Sequence, residues 1–170
     1  VSDYKEILSD SAKGMKRSAI RELLKLTQKP EIISFAGGLP AKESFPLEQL
    51  QEICAEVIAT DGAAACQYGS TEGVPELLEI LAQRYRDQGL SYVTKENITI
   101  ITSSQQGLDT VGKIFLNRGD KYICELPSYL GALGAFNSYG GVGVGIPQDE
   151  QGMSAVELEK TLAEMKAKGE

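Results

Sequence analysis

The sequence predicts an α/β fold built on a parallel sheet, with helical segments ahead of the sheet and the sheet itself incomplete. Three observations carry that expectation. From residue 97 onward, short continuous apolar runs alternate with runs of helical period, and alternation of this length implies parallel strands joined by right-handed crossovers. The chain has 170 residues of which 42% are hydrophobic, enough for a real core. Only three sheet strands are predicted, all in the second half, whereas parallel strands usually have both faces covered. The sheet therefore reads as the first part of a larger one, with a further strand expected after the final helix.

In chain order, "SAIRELLKLTQKP" predicts a helix started by Ser18, with Ile20, Leu23 and Leu24 on one face and Pro30 as its stop. "SFAGGLPAKESFP" is a loop, because Gly37-Gly38 and two prolines rule out regular structure. Phe45-Pro46 opens a second helix, with Leu50, Ile53, Cys54, Val57 and Ile58 inward and Gly62 closing it. After the loop "CQYGSTEG", a helix runs from Pro75 to Gln88 with Leu77, Leu78, Leu81 and Tyr85 as its stripe and Gly89 as its cap. Strand Asn97–Thr102 then leads to helix Gln105–Leu116, and "NRGD" turns the chain into strand Tyr122–Leu126. A short helix, Leu130 to Tyr139, precedes the glycine-spaced strand Val142–Ile146. Ser154 and Glu157 stand at capping-box spacing before a last helix that carries Leu158, Leu162 and Met165 to Gly169.

Bulk properties exclude several classes. The net charge of −7, with acids and bases mixed, argues against general affinity for nucleic acid, and no basic recognition helix is present. Aromatics make up 6% with no Trp, so platforms for stacking bases are not expected. No stretch approaches the roughly 18 apolar residues of a membrane span. The first residues, "VSDYKEILSD", are polar and unlike a secretory signal. A cytoplasmic setting is the expectation. Cys54, Cys66 and Cys124 are widely spaced and lie in or beside apolar segments, which suggests buried free thiols. There is no histidine, so no metal site is expected and Ser-His-Asp chemistry is excluded.

Polar residues cluster where function is most readily placed. In open parallel sheets, ligands bind beyond the carboxyl ends of the strands. Thr102, Ser103 and Ser104 stand at such an end, directly before a helix N-terminus whose free N–H groups and dipole favour an anion. Two readings stay open on the residues alone: a seat for a phosphate, or a plain N-cap. At the next strand end, "ELPSYLGA" puts Tyr129 on the same edge, either as a half-buried packing residue or as a face on which a planar ligand stacks. Tyr68 reads as a loop tyrosine with an outward phenol. Arg21 reads as a solvated charge or an anion clamp.

Four segments, "SAIRELLKLTQKPEIISFAGGLP", "CQYGSTEGVPELLEIL", "ITSSQQGLDTVGKIFLNRGD" and "ELPSYLGALGAF", together resemble the class I/II, fold-type I pyridoxal-phosphate-dependent aminotransferases. In order and spacing they are most similar to the 2-aminoadipate and kynurenine aminotransferase-like subgroup. The resemblance implies an N-terminal arm and substrate-closing loop over residues 1–45. Residues 46–170 would then be part of the large domain that binds pyridoxal 5′-phosphate, with the rest of that domain and a small domain beyond them. It also implies roles. Ser104 and Gln105 match the loop that binds the cofactor phosphate through hydroxyl and backbone N–H groups, and Tyr129 matches the aromatic that stacks on the pyridine ring. Tyr68 matches a tyrosine that reaches the cofactor phosphate of the neighbouring subunit in a homodimer. Arg21 and Gly38 match positions that close over the substrate, the arginine pairing with an acidic side chain. Where the family loop usually has glycine, this chain has Ser103.

The implied reaction moves an amino group between an amino acid, such as 2-aminoadipate or another acidic or aromatic one, and a 2-oxo acid. No catalytic residue is assigned, because no lysine here lies in the serine-rich context of the family's Schiff-base lysine. The sequence therefore predicts the N-terminal portion of such an enzyme, inactive alone. The alternative is a non-catalytic remnant that binds pyridoxal phosphate weakly or only self-associates.

Overall fold

The computed structural model describes residues 4–14, 32–33 and 38–170. The helix expected from Ser18 to Pro30, with Arg21 on it, lies outside the described residues. The chain divides into two compact units, Val1–Lys16 with Ile101–Glu170, and Arg17–Ile100.

In the unit Arg17–Ile100, a short 3-10 turn at Lys42–Ser44 leads through Phe45-Pro46 into a long helix, after the five-residue helix α1 (Asp10–Gly14) of the other unit. This helix, α2, covers Leu47–Ala65. It does not stop at Gly62: Asp61 leaves helical geometry at φ −137° and ψ 18°, and the helix resumes for one more turn. Nor are its apolar residues inward. Leu50, Ile53, Val57 and Ile58 are all exposed, as is Cys54. A helical apolar period identifies a face suited to burial, but it does not supply the surface that covers it.

Helix α3 (Pro75–Asp87) starts with proline at its first position, where the missing N–H costs nothing. Its stripe is narrower than expected: Leu78 and Ala82 are buried, Leu81 is half-buried, and Leu77 and Tyr85 are exposed. Gly89 closes it at φ +95°, as expected. The Gly89 N–H donates to Arg86 O and the Leu90 N–H to Tyr85 O, satisfying carbonyls the helix leaves open. Arg86 then donates from Nη1 to Val93 O at 3.0 Å, tying the helix end to the chain that follows.

The expected strand Asn97–Thr102 is not a strand. Lys95–Asn97 form a 3-10 turn boxed by Thr94 and Asn97, and Ile98 onward is unassigned although Ile98 itself is extended at φ −122° and ψ 136°. Strand identity needs a ladder partner, and among the described residues none pairs with it. One bond, Ile100 N–H to Glu72 O at 2.7 Å, fixes it instead to the loop before α3. At that crossing Gly73 has φ +125°, and an added Cβ would lie 2.5 Å from Ile100 Cγ1.

The other unit holds the sheet. Helix α4 (Ser104–Phe115) precedes β1 (Lys121–Leu126), helix α5 (Leu130–Ser138) links it to β2 (Val142–Asp149), and a short β3 (Gly152–Met153) precedes helix α6 (Ala155–Ala167). β1 and β2 are parallel, in register from Lys121↔Val142 to Leu126↔Pro147, and β3 folds back antiparallel on β2. The third strand is therefore a hairpin return and not the segment expected ahead of α4. Ile146 on β2 is fully buried and anchors the core. α4 packs on α5 at Gly112, where a Cβ would stand 2.9 Å from the Tyr139 ring. Tyr122 of β1 meets Phe136 edge-on at 5.0 Å and donates to Asn137 Oδ1 at 2.8 Å. Ser154 caps α6 as expected, its Oγ accepting the Glu157 N–H at 3.4 Å. Arg118 pairs with Asp10 of α1 at 2.9 Å. The expectation of buried thiols is corrected: Cys54 and Cys66 are exposed, and only Cys124 is half-buried. No described helix is long and apolar enough to cross a membrane.

Candidate functional site

The junction "TSSQQG" forms an unusual helix start. Ser103 is the residue before α4 and adopts φ 86° and ψ 167°, a region otherwise occupied almost only by glycine. In this conformation it does not cap: among the described residues, no side chain bonds to the first N–H groups of α4. Among the described residues, the N–H groups of Ser104, Gln105 and Gln106 bond to nothing. No acidic residue stands in the first turn either, although carboxylates are favoured there. Gln106 instead reaches back, its Oε1 accepting the N–H of Thr102 at 2.5 Å, which closes the turn behind Ser103. The result is an exposed group of amide donors at the positive end of a helix, beside the hydroxyl of Ser104.

The second component comes from the exit of β1. Pro127 and Ser128 lead into α5, and Tyr129 is the residue before its first turn, at φ −68° and ψ 120°. The Tyr129 carbonyl accepts from Ala132 and Leu133, which fixes its backbone. Gln148 of β2 donates from Nε2 to Pro127 O at 2.5 Å, which holds the exit from the other side. Tyr129 as a whole residue remains 61% exposed.

These two components touch. Gln105 donates from Nε2 to Gly131 O at 3.3 Å, spanning 26 positions of sequence. Gly131 is where the Tyr129 ring and the Gln105 amide converge: a Cβ there would lie 2.5 Å from Tyr129 Cε1, 2.6 Å from Cζ and 2.7 Å from Gln105 Oε1. Ser104, Gln105 and Tyr129 are thus brought together. One turn further along the same face of α4, Tyr139 donates to Asp109 Oδ2 at 3.1 Å, and burial together with that carboxylate pushes its phenol above the ordinary range.

The remaining expected residues lie in the other unit. Tyr68 is 99% exposed, its backbone N–H bonded to Gln67 Oε1. Gly38 sits at φ +58°, with no described atom near an added Cβ, so it is its backbone angle that favours glycine. Arg21 lies outside the described residues. Sequence reasoning missed Gly131 and Gln106. Gly131 could have been suspected from its place two residues after a candidate stacking tyrosine. Gln106 could not, since two adjacent glutamines look equivalent in sequence.

The family described as "Aminotransferase class I and II" matches residues 30–170. With that match covering most of its length, the chain belongs to the class I and II aminotransferase family. Among its relatives, it is 44% identical over 98% of its length to an aromatic-amino-acid aminotransferase of Thermococcus litoralis, of which it covers 40%. It superposes with a TM-score of 0.85 on Pyrococcus horikoshii kynurenine aminotransferase, solved in complex with PMP, KYN and KYA, at 40% identity over 99% of this chain and 42% of that one. It is also similar, with a TM-score of 0.82 and 39% identity, to the α-aminoadipate aminotransferase of Thermus thermophilus solved with N-(5′-phosphopyridoxyl)-L-leucine, covering 95% of this chain and 39% of that one. The chain spans about 40% of the length of the curated relatives it matches.

Proposed function

We propose that this protein binds pyridoxal 5′-phosphate and takes part in moving an amino group between an amino acid and a 2-oxo acid. The observation that carries the reading is the contact between an uncapped helix start and an exposed tyrosine ring, made through Gln105 and Gly131. A phosphate dianion suits unbonded amide donors at the positive end of a helix, and a planar heteroaromatic ring suits an exposed tyrosine beside them. The residues present therefore fit the family's cofactor.

The roles are these. The N–H groups of Ser104 and Gln105 and the Ser104 hydroxyl donate to the phosphate oxygens, and the absence of acidic residues from the first turn keeps that end of α4 receptive. Tyr129 sets the plane of the ring. The exposure of Tyr68 suits a phenol that donates to the phosphate held by a second subunit of a homodimer. Residues 1–45 form an arm that closes over the substrate, with Gly38 supplying its turn and Arg21 pairing with an acidic substrate side chain, as 2-aminoadipate would present. When bound, the cofactor supplies an electron sink for the substrate's α-carbon. No lysine of the chain stands in the setting the family uses to hold the cofactor aldehyde, so these residues alone anchor the group without completing the transfer.

Equilibrium dialysis with labelled pyridoxal phosphate tests the reading. Ser104→Ala removes one hydrogen bond to a charged acceptor, about 1.5–3 kcal/mol, and so lowers retention by at least about tenfold. Retention that is absent in the wild type, or unchanged by the substitution, would contradict it.

A further inference from the structure

Resting on that reading, we propose that Gly131 is a positioning residue. With the Gln105 side chain, it sets the gap between the anion seat at α4 and the stacking face of Tyr129, and so selects planar rings that carry a phosphate on a short tether. Three observations support this. The Gln105 amide is the only described side-chain bond joining the start of α4 to the start of α5. Its Nε2 donates to Gly131 O, and separately the Gln105 backbone N–H has no partner among the described residues. The space above Gly131 is filled by the Tyr129 ring and the Gln105 carbonyl, both within 2.7 Å of where a Cβ would be. Because Tyr129 Cε1 and Cζ are part of a rigid ring, relief of that overlap requires the whole ring to swing, whereas the Gln105 side chain can shift at its far end. The Tyr129 backbone itself is held by the bonds from Ala132 and Leu133 and cannot follow.

A side chain at Gly131 therefore moves the stacking face while leaving the amide donors of α4 in place. The consequence separates the two halves of a ligand. Gly131→Ala should weaken a phosphorylated ring and spare a bare phosphate, a pattern that general damage to the fold does not produce.

Isothermal titration with pyridoxine 5′-phosphate, which has no aldehyde to react with surface lysines, and with inorganic phosphate makes the comparison. Gly131→Ala is expected to lower affinity for pyridoxine 5′-phosphate about tenfold and to leave inorganic phosphate unchanged. In a Tyr129→Ala background the same substitution is expected to cost nothing further, because the ring it displaces is gone. Unaltered affinity for the ester, an equal loss for phosphate, or the same loss in both backgrounds would overturn the proposal. Thermal melting checks that the variant folds. If it does not, Gln105→Met, which keeps the backbone N–H but deletes the donor to Gly131, is expected to weaken the ester likewise, and full affinity there overturns the proposal. A wild type that binds the ester through Ser104 while Gly131→Ala binds equally well defeats this inference alone. A wild type that binds no ester defeats the functional reading with it.

Discussion

Ser103 is the position at which one atom group should cost measurable stability. Its φ of 86° with ψ of 167° lies in a region that a Cβ strongly disfavours, at a cost of about 1–3 kcal/mol. Its hydroxyl gives nothing back, because it caps no N–H of α4. Ser103→Gly removes the clash but adds freedom to the unfolded chain, worth roughly 0.5–1 kcal/mol against folding. The expected balance is a gain of about 1 kcal/mol. In urea unfolding with a slope of about 2 kcal/mol/M, the midpoint should rise by about 0.5 M with the slope unchanged. Ser103→Ala is the decisive comparison: it deletes the hydroxyl and keeps the Cβ, so its stability should stay within about 0.5 kcal/mol of the wild type, a midpoint shift of no more than about 0.25 M. A glycine variant with no gain, or an alanine variant that gains as much, would show that the backbone angle is not the source of strain.

Ile146 is the fully buried side chain of β2, and Ile146→Ala should cost about 2–5 kcal/mol through lost burial and the cavity left behind, read as a lowered urea midpoint. Tyr139 gives a pH test. Its folded pKa is raised above the ordinary 10.0 by burial and by the bond to Asp109, so the folded state holds the proton more tightly than the unfolded one. That contribution is fully present below about pH 10 and is lost as pH rises through the folded value. Tyr139→Phe should therefore lose less stability than the wild type as the pH is raised above about 10, and parallel pH profiles there would refute the assignment.

Secondary structure was legible wherever a local signal sufficed. The helices after Val74, Ser103, Tyr129 and Ser154 begin within a residue or so of where caps, proline and periodicity put them, because those signals act over one turn. Signals that depend on a distant surface were misread. Ile98, Ile100 and Ile101 are as apolar as the residues of β1, yet no ladder forms among the described residues, since pairing belongs to two segments and an apolar run reports on only one of them. The same holds for α2, where Ile53 and Ile58 have the right period and remain exposed. Cys54 followed them into error, being judged by its apolar neighbours. The candidate site was legible as residues but not as geometry: Ser104 and Tyr129 were named from two strand ends, while Gly131, which joins them, has no side chain to draw notice.

The serines and glutamines of residues 103–106 become intelligible once each is assigned its own direction. Successive helical residues point about 100° apart, so neighbouring glutamines cannot serve one partner. Gln105 faces α5 and bonds Gly131 O, whereas Gln106 faces back along the chain and takes the N–H of Thr102. A plain N-cap would have used a serine hydroxyl to satisfy the first amides of α4, as Ser154 does for α6. Here the turn is closed from behind by Gln106, and Ser103, with φ at 86°, makes no cap bond to those amides. The chain thus accepts strain at one residue and commits two side-chain amides to holding the loop, and the groups left unbonded are the donors an anion would need. Two starts of the same sheet-bearing unit differ in this one respect: the helix after Ser154 is sealed by its own sequence, and the helix after Ser103 is kept open by it.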